Sequence, residues 1–315
     1  MSSAGDNLEA DDDEEVAAVL CCCASCGIAE VDDIKLKKCD GCDLVRYCSD
    51  VCQEDHRPEH EASCKERAAE LRDEVLFRQP EGSHQGDCPL CCVPLPFEKG
   101  KSLFYQCCSK VICKGCLYAY LLQKREDLLQ KREANVQLGV TCPFCRHPVT
   151  TKEEANKIMM KRVAANDPVA LRQVGVDHFD EGDYDNAFSY WAKAAELGDA
   201  MAHYNLSHLY RDGLGVEKDE TKEIYHLEEA AIAGHPRARN NLGCYDWNNG
   251  RIDRAVKHFS IAANLGNDKS LQALKEYYKD GLVSKEDFAA ALRGHYAAID
   301  ATKSPQRREM AEILR

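Results

Sequence analysis

Eighteen of the nineteen cysteines lie between Cys21 and Cys145, most of them in closely spaced pairs, and the 170 residues that follow hold only Cys244. A hydrophobic core needs no such spacing. A tetrahedral zinc ion does, because a turn carrying Cys-x-x-Cys delivers two soft ligands at once. The front of the chain is therefore expected to be built around metal and the back around buried side chains. At 315 residues there is room for two or three domains, and the net charge of -13 is that of an acidic soluble protein. The apolar run from Val16 to Ala24 follows Asp11, Asp12, Asp13, Glu14 and Glu15, the wrong sign for a signal peptide, and no segment approaches a membrane span. These features predict the cytoplasm and/or the nucleus, where thiols stay reduced and such pairs bind metal. Residues 1–20 hold seven acidic side chains and no Lys or Arg, which reads as a disordered tail. A nucleic-acid binder shows a basic face, and none is visible here, so the composition points to protein partners rather than nucleic acid or membrane.

Along the first cluster, Cys23-x-x-Cys26 is followed by Cys39-x-x-Cys42, Cys48-x3-Cys52 and His60-x3-Cys64. The last two pairs have i, i+4 spacing, which puts both ligands of a pair on one face of a helix. With Tyr47 before Cys48 and Gln53 after Cys52, the segment resembles a MYND-type zinc finger. The resemblance implies two interleaved zinc sites: Cys23, Cys26, Cys48 and Cys52 on one ion, Cys39, Cys42, His60 and Cys64 on the other. The segment has too few large apolar residues to fold by burial alone. Cys21 and Cys22 are surplus, and His56 is a competitor for His60. Family members receive short proline-containing peptides, but Arg57 stands where a Trp is usual.

The second cluster reads Cys88-x-x-Cys91, Cys107-Cys108, Cys113-x-x-Cys116 and Cys142-x-x-Cys145, an order that resembles a RING finger. The resemblance implies one zinc on Cys88, Cys91, Cys113 and Cys116, and a second on Cys142 and Cys145 with ligands from the Cys107 region. Lys110 occupies the usual histidine place, and a protonated lysine cannot coordinate zinc. Adjacent Cys107 and Cys108 can both ligate after a local backbone distortion and are the assigned pair, and His147 or a water is the alternative fourth ligand. In ubiquitin ligases of this family a hydrophobic residue in the first pair, a proline in the last and a basic residue just after it grip a conjugating enzyme. Leu90, Pro143 and Arg146 occupy those places. Cys-Pro-x-Cys-Arg also occurs in zinc turns without that activity, since proline fixes φ in the turn. The long stretch before Cys142 carries LLQKRED (121–127) and LLQKREA (128–134), an amphipathic helical pattern with Leu121, Leu122, Leu128 and Leu129 on one stripe. Packing on a neighbouring domain and dimerisation are both open to it.

The back half repeats itself. Val174, Leu206, Leu242 and Leu274 recur at intervals of 32, 36 and 32, with Ala170, Ala202, Ala238 and Ser270 one turn earlier. Alanine pairs follow at 194–195, 230–231 and 262–263, each before a glycine, Gly198, Gly234 or Gly266. Such a period means a solenoid of helix pairs, with alanines allowing close approach and glycines ending helices in a left-handed cap. Leu206-x3-Tyr210-x2-Gly213-x-Gly215-Val216 and Ala230-Ala231-x2-Gly234 resemble Sel-one-like repeats, a tetratricopeptide-related family, which implies protein scaffolding. The fourth unit departs from the pattern at Lys275 and Ala301. Tyr190, Trp191, Tyr204, Tyr210, Tyr225 and Trp247 are either a partner-binding face or core.

The expected molecule is mostly α. It has an acidic tail (1–20), a MYND-type finger (21–66), a linker helix (67–85), a RING-like finger with a helical insert (86–150), a solenoid of about four helix pairs (151–301) and a C-terminal helix or tail (302–315). It is expected to hold about four zinc ions and to act as an adaptor between proteins. The alternative is a RING-type ubiquitin ligase that recruits a conjugating enzyme and selects substrate through its repeats. No nucleophile or phosphate-loop arrangement stands outside the zinc spacings, and no segment resembles the cofactor motif of SET-type methyltransferases.

Overall fold

The computed structural model describes residues 22–31, 33–97, 100–130, 141–148 and 151–313, without the side chains of 127–130. The acidic tail, Cys21 and the end of the second LLQKRE copy lie outside them. The chain divides into two units, Met1–Leu76 and Phe77–Arg315.

Among the described residues the first unit has one short hairpin, β1 (Lys37–Lys38) and β2 (Arg46–Tyr47), and one helix, α1 (Asp50–Leu76). Its buried centre is Cys23, Cys39, Cys42 and Tyr47. Cysteine sulfur takes the place that aliphatic side chains hold in an ordinary core, as expected of a segment this poor in them. Helix α1 opens with the Ser49 hydroxyl accepting from the Cys52 amide (3.2 Å) and Asp50 in the first turn. The linker helix expected over 67–85 is the second half of α1: it ends at Leu76, and 77–85 is not helical.

The second unit starts with a hairpin, β3 (Ser102–Tyr105) and β4 (Lys110–Cys113), in the register Ser102 opposite Cys113 to Tyr105 opposite Lys110. Its turn contains Cys107 and Cys108, and Ser109 closes it at φ 51°, in the left-handed region. Helix α2 (Lys114–Gln130) follows Cys113 directly. After α3 (Lys152–Ala164) come four helix pairs. They are α4 (Pro168–Asp180) with α5 (Tyr184–Glu196), α6 (Ala200–Asp212) with α7 (Glu220–Ile232), α8 (Pro236–Asn248) with α9 (Ile252–Asn264), and α10 (Asp268–Lys279) with α11 (Lys285–Ala301). Helix α12 (Pro305–Ile313) ends the chain.

The repeat period is written in the caps. Asp167, Asp199, His235 and Asn267, spaced 32, 36 and 32 apart, each accept an N–H in the first turn of α4, α6, α8 and α10. The residue before each of the last three is a glycine at φ 84°, 81° and 85°, so one dipeptide ends a helix and starts the next. Within pairs the small residues set the spacing. Ala170, Ala202, Ala238 and Ser270 are fully buried. A Cβ on Gly175 would come within 2.4 Å of Trp191 Nε1, and one on Gly243 within 2.8 Å of the Phe259 ring. Trp191 and Tyr210 are buried in the core, Trp247 is half-buried against it and stacks on Tyr277 at 3.9 Å, and Tyr225 stands exposed.

The cysteine-rich module of this unit is held from both ends of the helical array. Arg162, on α3, donates to the Cys107 carbonyl through Nε (3.3 Å) and Nη2 (3.0 Å) and to Asp167 (2.9 Å). Helix α12 packs on α2. No described helix is long and apolar enough to cross a membrane.

Candidate metal centres

Four groups of ligand atoms converge, each within 4.8 Å of one another: Cys23, Cys26, Cys48 and Cys52; Cys39, Cys42, His60 and Cys64; Cys88, Cys91, Cys113 and Cys116; and Cys107, Cys108, Cys142 and Cys145. Zinc–sulfur bonds of about 2.3 Å at a tetrahedral angle set sulfurs about 3.8 Å apart. The sulfurs stand at such distances: 3.6 Å for Cys26–Cys48 and Cys48–Cys52, 3.7 Å for Cys39–Cys64, 4.0 Å for Cys91–Cys113, 3.8 Å for Cys108–Cys142 and 3.4 Å for Cys107–Cys145. A disulfide needs about 2.05 Å. These donor sets fit zinc, about four ions in all.

Ionisation of the thiols argues the same way. Burial works against the Cys23 thiolate, but amides of Cys26, Cys48 and Ser25 point at it and bring it down to about 6. Burial likewise opposes Cys88, and the amides of Cys113, Leu90 and Cys91 bring it to about 7. Both are first residues of a Cys-x-x-Cys turn, whose following N–H groups fold back on the sulfur. Other members resist. Hydrogen bonds with Cys26 and Cys52 push Cys48 up to about 12, while burial and then Cys39 and Cys42 push Cys64 to about 12. Burial followed by the neighbouring thiols raises Cys107 and Cys116 above the ordinary thiol range. Burial opposes Cys39 and Cys145 as well, but backbone and side-chain hydrogen bonds outweigh it and lower both, so the protein itself favours one thiolate in each site, while Cys48, Cys64, Cys107 and Cys116 ionise readily only beside a cation.

His60 is buried on α1 with Nε2 3.1 Å from Cys42 Sγ, and its Nδ1 faces the Ser63 hydroxyl (3.1 Å), which donates to the His60 carbonyl. Ser63 thus fixes which nitrogen meets the metal. His56 has other partners: its Nδ1 meets the Tyr47 hydroxyl at 3.0 Å and its ring stacks on His60. In the fourth site adjacent Cys107 and Cys108 both face Cys142 and Cys145, through the turn that Ser109 closes. Lys110 is exposed, and His147 contributes through its backbone, its carbonyl accepting from the Cys142 amide (2.7 Å) and its amide donating to Cys145.

The conjugating-enzyme candidates fall on two metal turns. Leu90, 39% exposed, lies in the Cys88 turn; Pro143 is buried in the Cys142 turn; Arg146, exposed at φ 63°, places its guanidinium 5.4 Å from the Tyr120 ring. Spacing alone did not reveal Ser63 or Arg162, which contact ligand residues without binding metal. Only Ser63, one helical turn after His60, carried a local signal.

Where the second module meets the helix pairs there is a cavity of about 800 Å³, lined among others by Phe97, Lys110, Arg172, Asp199 and Arg237. A smaller one of about 250 Å³ on the first unit is lined by Gln53, Arg57, His60 and Lys65.

The fold and metal centres define a zinc-binding protein made of interaction modules: residues 23–64 are a MYND finger, and residues 169–199, 200–235 and 236–267 are three Sel1 repeats. Among curated proteins the chain is similar to DAP3-binding cell death enhancer 1 of Mus musculus (25% identical) and of Rattus norvegicus (32%), in each case over 202 residues, 51% of this chain and 40% of the relative. It is also similar to the chitin synthase regulator SKT5 of Saccharomyces cerevisiae, 31% identical over 109 residues, 31% of this chain and 16% of that one. The chain thus spans well under half the length of these relatives. Among solved structures it is similar to a Sel1 repeat protein from Oxalobacter formigenes, 29% identical with TM-score 0.41, covering 48% of this chain and 65% of that one. It also resembles c5321 of uropathogenic Escherichia coli, 22% identical with TM-score 0.39, covering 52% and 37%. MYND fingers and Sel1 repeats are protein-interaction modules, and the chain carries both beside four groups of ligands that fit zinc.

Proposed function

We propose that this chain is an adaptor that takes an acidic segment of a protein partner in the cavity between its second cysteine module and its first helix pairs, while the metal modules, each holding two zinc ions on the four residue sets above, present surfaces to further proteins in the cytoplasm or nucleus. The observation that carries the reading is the cavity lining. The lining sets Lys110, Arg172 and Arg237 against Asp87 and Asp199: Arg172 bonds Asp199 at 3.1 Å, Lys110 is exposed and Arg237 lies 5.1 Å from the Phe97 ring centroid, a small positive excess in a chain of net charge -13. A concave site with aromatic and cationic groups binds by burying apolar stems and steering opposite charge. The mouse and rat relatives are named for binding DAP3 and the yeast relative for regulating a chitin synthase, and both names describe action on another protein. The test is fluorescence anisotropy with Asp/Glu-rich peptides and their Asn/Gln counterparts. Acidic peptides should bind, more weakly at high salt, and Lys110→Glu with Arg237→Glu should abolish binding. Equal binding of the amide counterparts would remove the charge argument.

A second reading rests on the ligand order. The first and third cysteine pairs of the second module share one site and the second and fourth share the other, the cross-brace of a RING finger. With Leu90 and Arg146 exposed, this supports a ubiquitin ligase that holds a charged conjugating enzyme in a reactive orientation. Arg146→Ala should then abolish ubiquitin transfer across a panel of conjugating enzymes while zinc content stays unchanged. No transfer by the wild-type protein would leave the adaptor alone.

A further inference from the structure

Arg307 and Cys91 are 216 residues apart in sequence, yet the guanidinium of one closes on the metal loop of the other. Its Nη1 donates to the Pro94 carbonyl (2.7 Å) and to that of Thr302, and its Nη2 donates to the Val93 carbonyl (3.2 Å) and lies 3.8 Å from Cys91 Sγ. The approach is built in. Gly115, between the ligands Cys113 and Cys116, has no side chain, and a Cβ there would lie 2.7–2.9 Å from the backbone N, Cα and Cγ of Arg307. Helix α12 is anchored on either side of this contact, by the buried Ser304, whose hydroxyl accepts from the Arg307 amide (3.2 Å), and by the buried Met310.

A zinc ion with four thiolates carries about two net negative charges, and a planar cation bonded to one sulfur offsets part of that charge and fixes the ligand's orientation. We infer that Arg307 is an outer-sphere partner of the Cys88, Cys91, Cys113 and Cys116 zinc site. It holds the Cys91 thiolate and its loop in ligating position, so that metal loading there and docking of the C-terminal helix stabilise each other. The coupling is reciprocal: whatever α12 adds to metal affinity, the metal adds to α12 docking. Arg162 makes a contrast, since it grips the Cys107 carbonyl and leaves the sulfur alone.

The test uses the zinc-loaded full chain and a zinc-chelating dye. In Arg307→Ala one of the four ions should leave about 10- to 100-fold faster, the scale of lost outer-sphere contacts, with the other three unchanged. The exposed neighbour change Arg308→Ala should behave as wild type. Arg307→Lys, which keeps the charge but not the fork, should fall between, and it serves if the alanine variant fails to fold. With cadmium in place of zinc, Arg307→Gln should move the NMR signal of one site only. A purely structural clamp would raise hydrogen exchange across 305–313 while all four ions left at the wild-type rate. That result, or unchanged release with α12 still docked, would overturn the assignment.

Discussion

Cys108 and His147 are competing claimants for the last ligand place of the fourth site, and the geometry separates them. Only Cys108 brings a sulfur to Cys142, at 3.8 Å. Cys108→Ser should lower the zinc content from about four ions to about three by atomic absorption, and His147→Ala should leave it unchanged. Two histidines, His226 on α7 and His84 in the segment after α1, make a second prediction. Burial, then the neighbouring His203, brings His226 down to about 4, and burial brings His84 to about 4 as well. An unfolded histidine titrates near 6.5, so between about pH 6.5 and about pH 4 the unfolded chain binds protons that the folded one refuses. Their contribution to stability is complete above about 6.5 and is lost as pH falls through that window. The shift in urea midpoint between about pH 7.5 and about pH 5 should be smaller in His226→Gln than in wild type. The ligand cysteines were legible in the sequence because a metal imposes spacing on its donors. Arg162 and Arg307 were not, because a side chain that reaches across the fold to one carbonyl or one sulfur leaves no period behind it.

Elements follow the same division. The four helix pairs could be read from recurring alanines and glycines because every pair solves one packing problem, and the solution repeats. Asp167 and Ser284 each open their helix with a side-chain oxygen accepting a first-turn N–H, the ordinary role of such residues at a helix start. The end of α1 could not be read in this way. The run after Cys64 is polar and carries no break, and only the structure places the last turn at Leu76. Where helices touch most closely the sequence has no freedom. Gly243→Ala would drive a methyl into the Phe259 ring, and thermal denaturation should show a loss of about 1–3 kcal/mol. Asp199 both accepts from the Ala202 amide (2.8 Å) and pairs with Arg172, so Asp199→Ala should cost about 1–2 kcal/mol from the cap alone and loosen the join between the first two pairs.

At the scale of the whole molecule, two kinds of stabilisation coexist in one chain. Stripping zinc with a chelator should leave most of the helical circular dichroism, because α4 to α11 rest on buried Leu, Ala, Trp and Phe side chains. The metal modules should become sensitive to protease between residues 22 and 148. A helical array with free ends touches only its neighbours at each step and can gain or lose a unit without disturbing the rest. This one begins and ends on the same small module, at the Cys107 carbonyl on one side and the Cys91 loop on the other. Like a bracelet, it has a length set by its clasp. A duplicated unit would carry α12 beyond Gly115, and a deleted one would leave it short, so the repeat number cannot drift in this chain unless the clasp is lost first.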